Sequence, residues 1–186
     1  MVDTLNKIPL EGRRRNSLFI VGLMGVGKSS VGRLAANILG YEFYDADQVI
    51  EQRAGADIPW IFDVEGEDGF REREAQVIED LTQREKIVVA TGGGVVTREA
   101  NRKALIRGYV AYLTCPITEL IQRTSGDQRR PLLRTNAEAT LRKLSTLREP
   151  LYAQVSHAIF STQSIGIKAV AHSVANWYLL KIEEGK

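Results

Sequence analysis

The sequence predicts an α/β fold, a three-layer α/β/α sandwich around a five-stranded parallel sheet. Three observations carry that expectation. Short apolar runs alternate with helical patterns from Leu18 to Tyr178, the order that builds a parallel sheet with helices on both faces. The stretch Gly22-Leu23-Met24-Gly25-Val26-Gly27-Lys28-Ser29 fits G-x-x-x-x-G-K-[ST] and lies between the first apolar run and the first helix. Two later strand-like runs end in Asp45-Ala46-Asp47 and Thr91-Gly92-Gly93-Gly94, at the carboxyl ends where open α/β sheets bind ligands.

A chain of 186 residues, 44% hydrophobic and 26% charged, is long enough for a core and ordinary for one globular domain. Its net charge of +2 supplies no general attraction to nucleic acid or to an anionic membrane. No apolar run approaches the roughly 20 residues of a membrane span. Neither nucleic acid nor membrane is expected as a partner, and a monomer is expected. Residues 1–16 are polar, hold Arg13-Arg14-Arg15 and lack a signal-peptide core. They read as a flexible tail ahead of a single domain over 17–186. The one cysteine, Cys115, excludes an internal disulfide, and the reducing cytoplasm is the expected compartment.

The elements follow in order. Leu18-Phe19-Ile20-Val21 is a buried strand, and Val31, Leu34, Ala35, Ile38 and Leu39 share one face of the helix that follows. Gly40 suits its C-terminal stop. Glu42-Phe43-Tyr44-Asp45 is the second strand, and Asp47 is placed to cap a helix over 48–54. Asp57-Ile58-Pro59 opens another helix. From Glu65 to Glu74 the chain reads as a charged, solvated helix face, with Val77, Ile78 and Leu81 on its core side. Arg71 and Arg73 are read there either as partners of nearby glutamates or as ligand contacts. Ile87-Val88-Val89-Ala90 is the third strand, a helix is expected over 97–106, and Tyr109-Val110-Ala111-Tyr112-Leu113 is the fourth strand. Cys115, after that run, is expected to be buried. A short helix over 116–123 precedes a polar segment with Arg123, Arg129, Arg130 and Arg134. Asn136 caps a helix carrying Leu141, Leu144 and Leu147, Ala158-Ile159-Phe160 is the fifth strand, and Val170, Val174, Trp177 and Tyr178 stripe the last helix.

The glycine loop points to phosphate chemistry. Glycines let backbone N–H groups wrap phosphate oxygens, the helix N-terminus adds positive potential, and Lys28 reaches the β- and γ-phosphates. Gly25, Val26, Gly27, Lys28, Ser29 and Ser30 are therefore the expected ATP contacts, with the Ser29 hydroxyl on Mg²⁺. A Walker B aspartate is missing after Ala90, which makes Asp45 and Asp47 the metal-side candidates: one carboxylate to hold the Mg²⁺ water shell, the other to accept a proton from an attacking hydroxyl. The triple glycine permits close approach of backbone to ligand with its N–H groups exposed. The basic segment over about 123–136 reads as a lid that brings an arginine to the transferring phosphoryl group.

Together these segments resemble shikimate kinase. The resemblance rests on the glycine loop, Phe43-Tyr44-Asp45-Ala46-Asp47, Gly69-Phe70-Arg71, Thr91-Gly92-Gly93-Gly94, Arg130-Pro131-Leu132-Leu133 and Arg148-Glu149-Pro150-Leu151-Tyr152, all in family order. It implies a nucleoside monophosphate kinase-like P-loop kinase domain with a lid and a substrate-binding segment over about 47–75. It implies ATP-dependent phosphorylation of the shikimate 3-hydroxyl, on the route to chorismate and the aromatic amino acids, with ATP and Mg²⁺ as cofactors. Carried over by motif, Lys28, Asp47 and Arg130 are catalytic, with Asp47 on the attacked hydroxyl and Arg130 on ATP. Arg71 and Arg148 grip the carboxylate, and Gly92, Gly93 and Gly94 border the substrate, Gly93 through its N–H. Arg123 lies near the adenine, and Asp45 holds Mg²⁺ through water. The segment after the fifth strand, 163–165, has no clear match to the family's adenine contact. Gluconate and nucleoside monophosphate kinases share parts of the pattern, but the proline usual in the nucleotide-kinase segment is missing after Asp68-Gly69-Phe70. A guanine-nucleotide switch is disfavoured because Asn6-Lys7 runs into Ile8-Pro9.

Overall fold

The computed structural model describes residues 15–124 and 137–184. The first strand, β1 (Leu18–Val21), is followed by α1 (Lys28–Leu39), β2 (Glu42–Asp45), α2 (Ala46–Ala54) and α3 (Ile58–Thr82). Then come β3 (Ile87–Ala90), a 3₁₀ turn (Val95–Thr97), α4 (Glu99–Leu105), β4 (Tyr109–Thr114) and α5 (Ile117–Thr124). The chain ends with α6 (Ala137–Val155), β5 (Ala158–Ser161) and α7 (Ile167–Glu184).

The five strands form one parallel sheet in the order β2-β3-β1-β4-β5, as the alternation of strands and helices predicts. β1 and β3 are buried throughout, which suits central strands covered on both faces. Tyr109 and Tyr112 lie three residues apart on β4 and so point to opposite faces. Tyr109 meets Tyr178 of α7 edge-on at 5.4 Å, and Tyr112 meets Tyr152 of α6 at 5.0 Å between ring centres. These contacts place α7 and α6 on opposite sides of the sheet, and α1 packs beside α7.

Register decides where the loops meet. Ala90 pairs with Ile20 on one side and with Asp45 on the other. β2 then leads directly into Ala46 and Asp47 and β3 into Thr91, while β1 runs one residue more, through Val21, into Gly22. The glycine loop, the aspartate pair and the triple glycine therefore emerge side by side at one edge.

Several boundaries differ from the sequence reading. The tail was expected to reach residue 16, but the Arg15 N–H donates to the Arg107 carbonyl at 2.6 Å, and the Lys86 N–H donates to the Asn16 carbonyl at 2.7 Å. Backbone pairing beyond β1 thus incorporates both residues, while residues 1–14 lie outside the described part. No continuous helix covers 97–106: the chain makes the 3₁₀ turn, extends at Arg98 (ψ 132°) and restarts as α4. Side chains take the turn's carbonyls, since Asn101 donates to Val95 and Arg102 to Val96 and Thr97. Gly66 breaks α3 at φ 72°, and Arg73 reaches back across the break to grip Glu65 with two hydrogen bonds.

Leu147 is 59% exposed rather than inward. The buried stripe of α6 runs through Leu141, Ser145, Arg148 and Tyr152, so polar residues occupy core positions where apolar periodicity alone is blind to them. Cys115 is only half-buried, with its thiol on Glu119. Trp177 is likewise partly exposed beside its buried neighbours Val174 and Tyr178.

Gly108 opens β4 in a space that admits no β-carbon. A Cβ there would lie 2.5 Å from a ring carbon of fully buried Phe19 and 2.7 Å from the Ser17 carbonyl. That carbonyl accepts the Tyr109 N–H at 2.9 Å, so it is fixed. Gly108→Ala is expected to cost about 1–3 kcal/mol by overpacking. Urea denaturation checks this, and an unchanged midpoint contradicts it.

Candidate active site

The glycine loop is shaped by close approach. A Cβ on Gly22 (φ 144°) would run into the Leu113 carbonyl, and Gly25 and Gly27 take φ of 80° and 97°, values that favour glycine. Gly27 sits at the N-cap of α1 with no side-chain cap, which leaves the first helical N–H groups facing the loop. Lys28 is buried and folds back across the loop, where its ammonium donates to the Gly22 and Leu23 carbonyls at 2.8 and 2.9 Å.

Asp45 links this loop to the next element. Its Oδ2 accepts from the Ser29 hydroxyl at 2.6 Å, and its Oδ1 accepts from the Asp47 and Gln48 N–H groups at 3.1 and 3.4 Å. Asp45, not Asp47, is therefore the N-cap, and α2 starts at Ala46. An N-cap side chain accepts from the N–H groups two and three residues ahead, which Asp45 does. Asp47 is thereby released to face the cleft. Burial, then the neighbouring charges of Asp45 and Glu74, push its carboxyl up to about 6, against the opposing pull of Lys28.

The far wall comes from α3 and α6. Arg71 is buried, donating to Glu74 at 2.8 Å and to Glu67 at 3.1 Å. Glu74 is only 1% exposed; its Oε2 serves Arg71, and its Oε1 has no hydrogen-bond partner among the described residues. Burial raises the Glu74 carboxyl despite Arg71. Arg148 is 5% exposed and makes no ion pair among the described residues; burial lowers its pKa from the ordinary arginine value. A buried guanidinium without a carboxylate is costly unless a ligand anion completes it.

The triple glycine is the meeting point of these charges. A Cβ on Gly92 would stand 2.8 Å from Asp47 Oδ1 and 2.9 Å from Glu74 Oε1, and one on Gly94 would overlap the Arg71 guanidinium. A Cβ on Gly93 would lie 3.3 Å from the Met24 N and 3.8 Å from Arg148 Nη1. The sequence reading gave these glycines to ligand approach; the structure adds that their missing side chains make room for the site's own.

One cleft of about 620 Å³ is lined by Gly25, Gly27, Lys28, Ser29 and Ser30 on one side and by Asp47, Arg71 and Arg148 on the other, with Asp45 and Gly92, Gly93 and Gly94 between. Val26 is buried beneath the loop rather than lining it. Arg123 also lines the cleft, tied by its guanidinium to Glu119 at 2.8 Å and to the Thr162 carbonyl at 3.0 Å. Arg130, and the expected lid beyond Thr124, lie outside the described residues. Sequence reasoning missed Glu74, which looked like part of a solvated charged run, and the stacked pair Phe62 and Phe70, 4.8 Å apart, on the cleft wall. Glu74 falls on the 74-77-78-81 stripe of α3 with buried Val77, Ile78 and Leu81; that helical period was the available signal.

Comparison with known proteins agrees with this geometry. The shikimate kinase family model matches residues 24–178. The chain is 50% identical over 163 residues to a shikimate kinase of Legionella pneumophila (strain Paris), covering 87% of this chain and 93% of that protein. It is 51% identical over 164 residues to a shikimate kinase of Halorhodospira halophila, with the same coverage of 87% and 93%. A solved structure described as shikimate kinase from Acinetobacter baumannii in complex with shikimate superposes with a TM-score of 0.87 at 44% identity, covering 90% of this chain and 94% of that one. The order of motifs, the five-stranded parallel sheet and these likenesses agree: the chain is an enzyme of the shikimate kinase family.

Proposed function

We propose that this cleft transfers the γ-phosphoryl group of ATP to the 3-hydroxyl of shikimate, giving shikimate 3-phosphate and ADP. The observation that carries the reading is Arg148, a buried cation without an ion-pair partner among the described residues, set opposite the glycine loop. Planar guanidinium forks suit a carboxylate and fix its orientation. Arg148 and Arg71 would hold the acceptor carboxylate, and the Gly93 N–H would take one of its oxygens. The ring then lies over Phe62 and Phe70, and its hydroxyls reach Asp47.

Phosphoryl transfer asks mainly for in-line positioning and charge neutralisation. Lys28 would leave the Gly22 and Leu23 carbonyls for the phosphates, joining the N–H groups of the loop and of Ser30. Asp47 accepts the proton of the attacking hydroxyl as the new O–P bond forms and the bond to the ADP oxygen breaks. A carboxyl held near 6 is ionised at neutral pH yet basic enough for that task. Arg123 walls the nucleotide side, near the adenine, and Arg130 is assigned to the phosphates by resemblance alone.

Magnesium fits the donors present. Ser29 and Asp45 offer hard oxygens beside the phosphate loop, and no group of three His, Cys, Asp or Glu among the described residues forms a protein-only cage. That suits an ion held by one or two protein oxygens, water and substrate phosphate. Ser29 would ligate it directly and Asp45 through water; when bound, it neutralises charge on the β- and γ-phosphate oxygens. No helix among the described residues is long and apolar enough to cross a membrane. We place the enzyme in the cytoplasm, as a monomer acting on small molecules in the synthesis of aromatic amino acids.

ADP release from Mg-ATP is expected with shikimate and not with gluconate, a nucleoside monophosphate or no acceptor; release with either alternative discards the acceptor assignment. Arg148→Ala is expected to weaken shikimate binding about a hundredfold and leave Mg-ATP affinity within about twofold, measured by calorimetry. Asp47→Asn is expected to lower kcat by about two to four orders of magnitude, and wild-type kcat to fall as pH drops below about 6.

The same substitution carries a stability signature. A carboxyl raised from 3.8 to about 6 makes the folded state bind a proton that the unfolded state has released. The folded protein therefore loses stability as pH rises between those values, by about 3 kcal/mol at the upper limit. Asp47→Asn removes that loss, so it is expected to raise the melting temperature at pH 8 and to change it little at pH 4. Equal shifts at both pH values contradict the assignment.

A further inference from the structure

The Arg148-Glu149-Pro150-Leu151-Tyr152 stretch gives only Arg148 to the reading above. Tyr152 lies one helical turn further along the same face of α6, four residues on. It is fully buried, stacks on Tyr112, and its hydroxyl donates to the Gly93 carbonyl. That bond joins α6 to the loop after β3, at the residue whose Cα is flanked by Met24 and Arg148.

The other two carbonyls of the glycine run are also occupied. Gly92 accepts the Val95 N–H at 3.2 Å, and Gly94 accepts the Thr97 N–H at 3.0 Å and the Thr97 hydroxyl at 2.7 Å. All three are internal to the loop and its turn. The Gly93 carbonyl alone is held by a distant side chain. In a trans peptide the carbonyl and the next N–H point in opposite directions, so anchoring the Gly93 carbonyl turns the Gly94 N–H away from the phenol. The Gly93 and Gly94 N–H groups donate to no protein acceptor among the described residues, although both residues line the cleft. Two amides without a protein acceptor, beside a guanidinium without a carboxylate, among the described residues, form a seat for oxygen acceptors.

We propose that Tyr152 is a positioning residue for the acceptor. Its hydroxyl holds the Gly93–Gly94 peptide and the Arg148 turn of α6 in one arrangement, so that the two amides and the guanidinium address the same ligand. Burial works for this role: it raises the Tyr152 pKa, keeping the phenol protonated as a donor. The inference rests on the acceptor reading of the cleft given above.

Tyr152→Phe keeps the ring and deletes the donor. Calorimetry on the full chain, with shikimate and with Mg-ATP titrated separately, is the test. The shikimate Kd is expected to rise about tenfold, with Mg-ATP Kd within about twofold and kcat at saturating shikimate within about threefold. An unchanged shikimate Kd overturns the inference. So does a parallel loss of both affinities with a lowered melting temperature, since that marks a purely structural residue. In ¹⁵N-glycine-labelled wild type, the Gly93 and Gly94 amide signals are expected to shift on adding shikimate. Their failure to move overturns the inference even if the variant does not fold. Wild type that binds no shikimate overturns the acceptor reading and the inference together, whereas normal wild-type binding with an unaltered variant overturns the inference alone.

Discussion

Four charged side chains converge on a stretch of backbone that has no β-carbons, and the site depends on that vacancy. Asp47 and Glu74 occupy the space beside Gly92, Arg71 fills the space at Gly94, and Arg148 lies 3.8 Å from the Cβ position at Gly93, behind the Met24 N and the Gly22 carbonyl. The charges balance unevenly. Glu74 and Arg71 neutralise each other at 2.8 Å, and the low dielectric around them strengthens the pair. Asp47 is left with a carboxyl raised by burial, and Arg148 with a guanidinium that no carboxylate answers among the described residues. Among the described residues this leaves a carboxyl of raised pKa facing a guanidinium without a carboxylate partner, the pairing to which the proposed acceptor, a hydroxylated ring acid, is matched.

The two halves of the cleft are joined by a single carboxylate. One oxygen of Asp45 caps α2 and so sets the direction of Asp47; the other holds the Ser29 hydroxyl at the start of α1. The parallel register makes this junction possible, because Asp45, Ala90 and Ile20 lie in one row and all three strands end within one residue of it. A slip of one residue on β2 would turn Asp45 to the opposite face and lose both the cap and the tether. The glycine loop and the Asp47 wall, the proposed phosphate and acceptor sides, are therefore placed relative to each other by sheet register.

The sheet, the glycine loop and most of the cleft were legible in the sequence because each rests on a local rule: period-two or apolar strands, glycine where φ is positive, carboxylates at strand ends. What was not legible depends on partners distant in the chain. Glu74 sits among Glu65, Glu67, Asp68 and Glu72, and composition cannot separate the one carboxylate that turns inward; only its position on the Val77–Ile78–Leu81 stripe does. The capping role went to Asp47 when Asp45 holds it, a difference of two residues that depends on where the β2 ladder stops. Leu147 looked like core because it is apolar, whereas the inward stripe of α6 carries Ser145 and Arg148. The carbonyls of the glycine run are taken by Val95, Tyr152 and Thr97, and Tyr152 is 59 residues away from Gly93.

That inward stripe has an energetic consequence. A helix buries its core face to be stable, yet α6 gives the middle of its buried face to a serine and a guanidinium and places Pro150, which has no N–H for the ladder, within the same stretch. Its apolar burial comes from Leu141 at one end and Tyr152 and Val155 at the other, with Leu144 and Leu151 partly buried between them. An anion that binds Arg148 only in the folded state, as proposed for the acceptor carboxylate, stabilises that state by mass action. An apolar residue in place of Arg148 would add apolar burial to that face of α6 and remove the charge proposed to hold the acceptor carboxylate. On that proposal, stability and recognition draw on the same helical position.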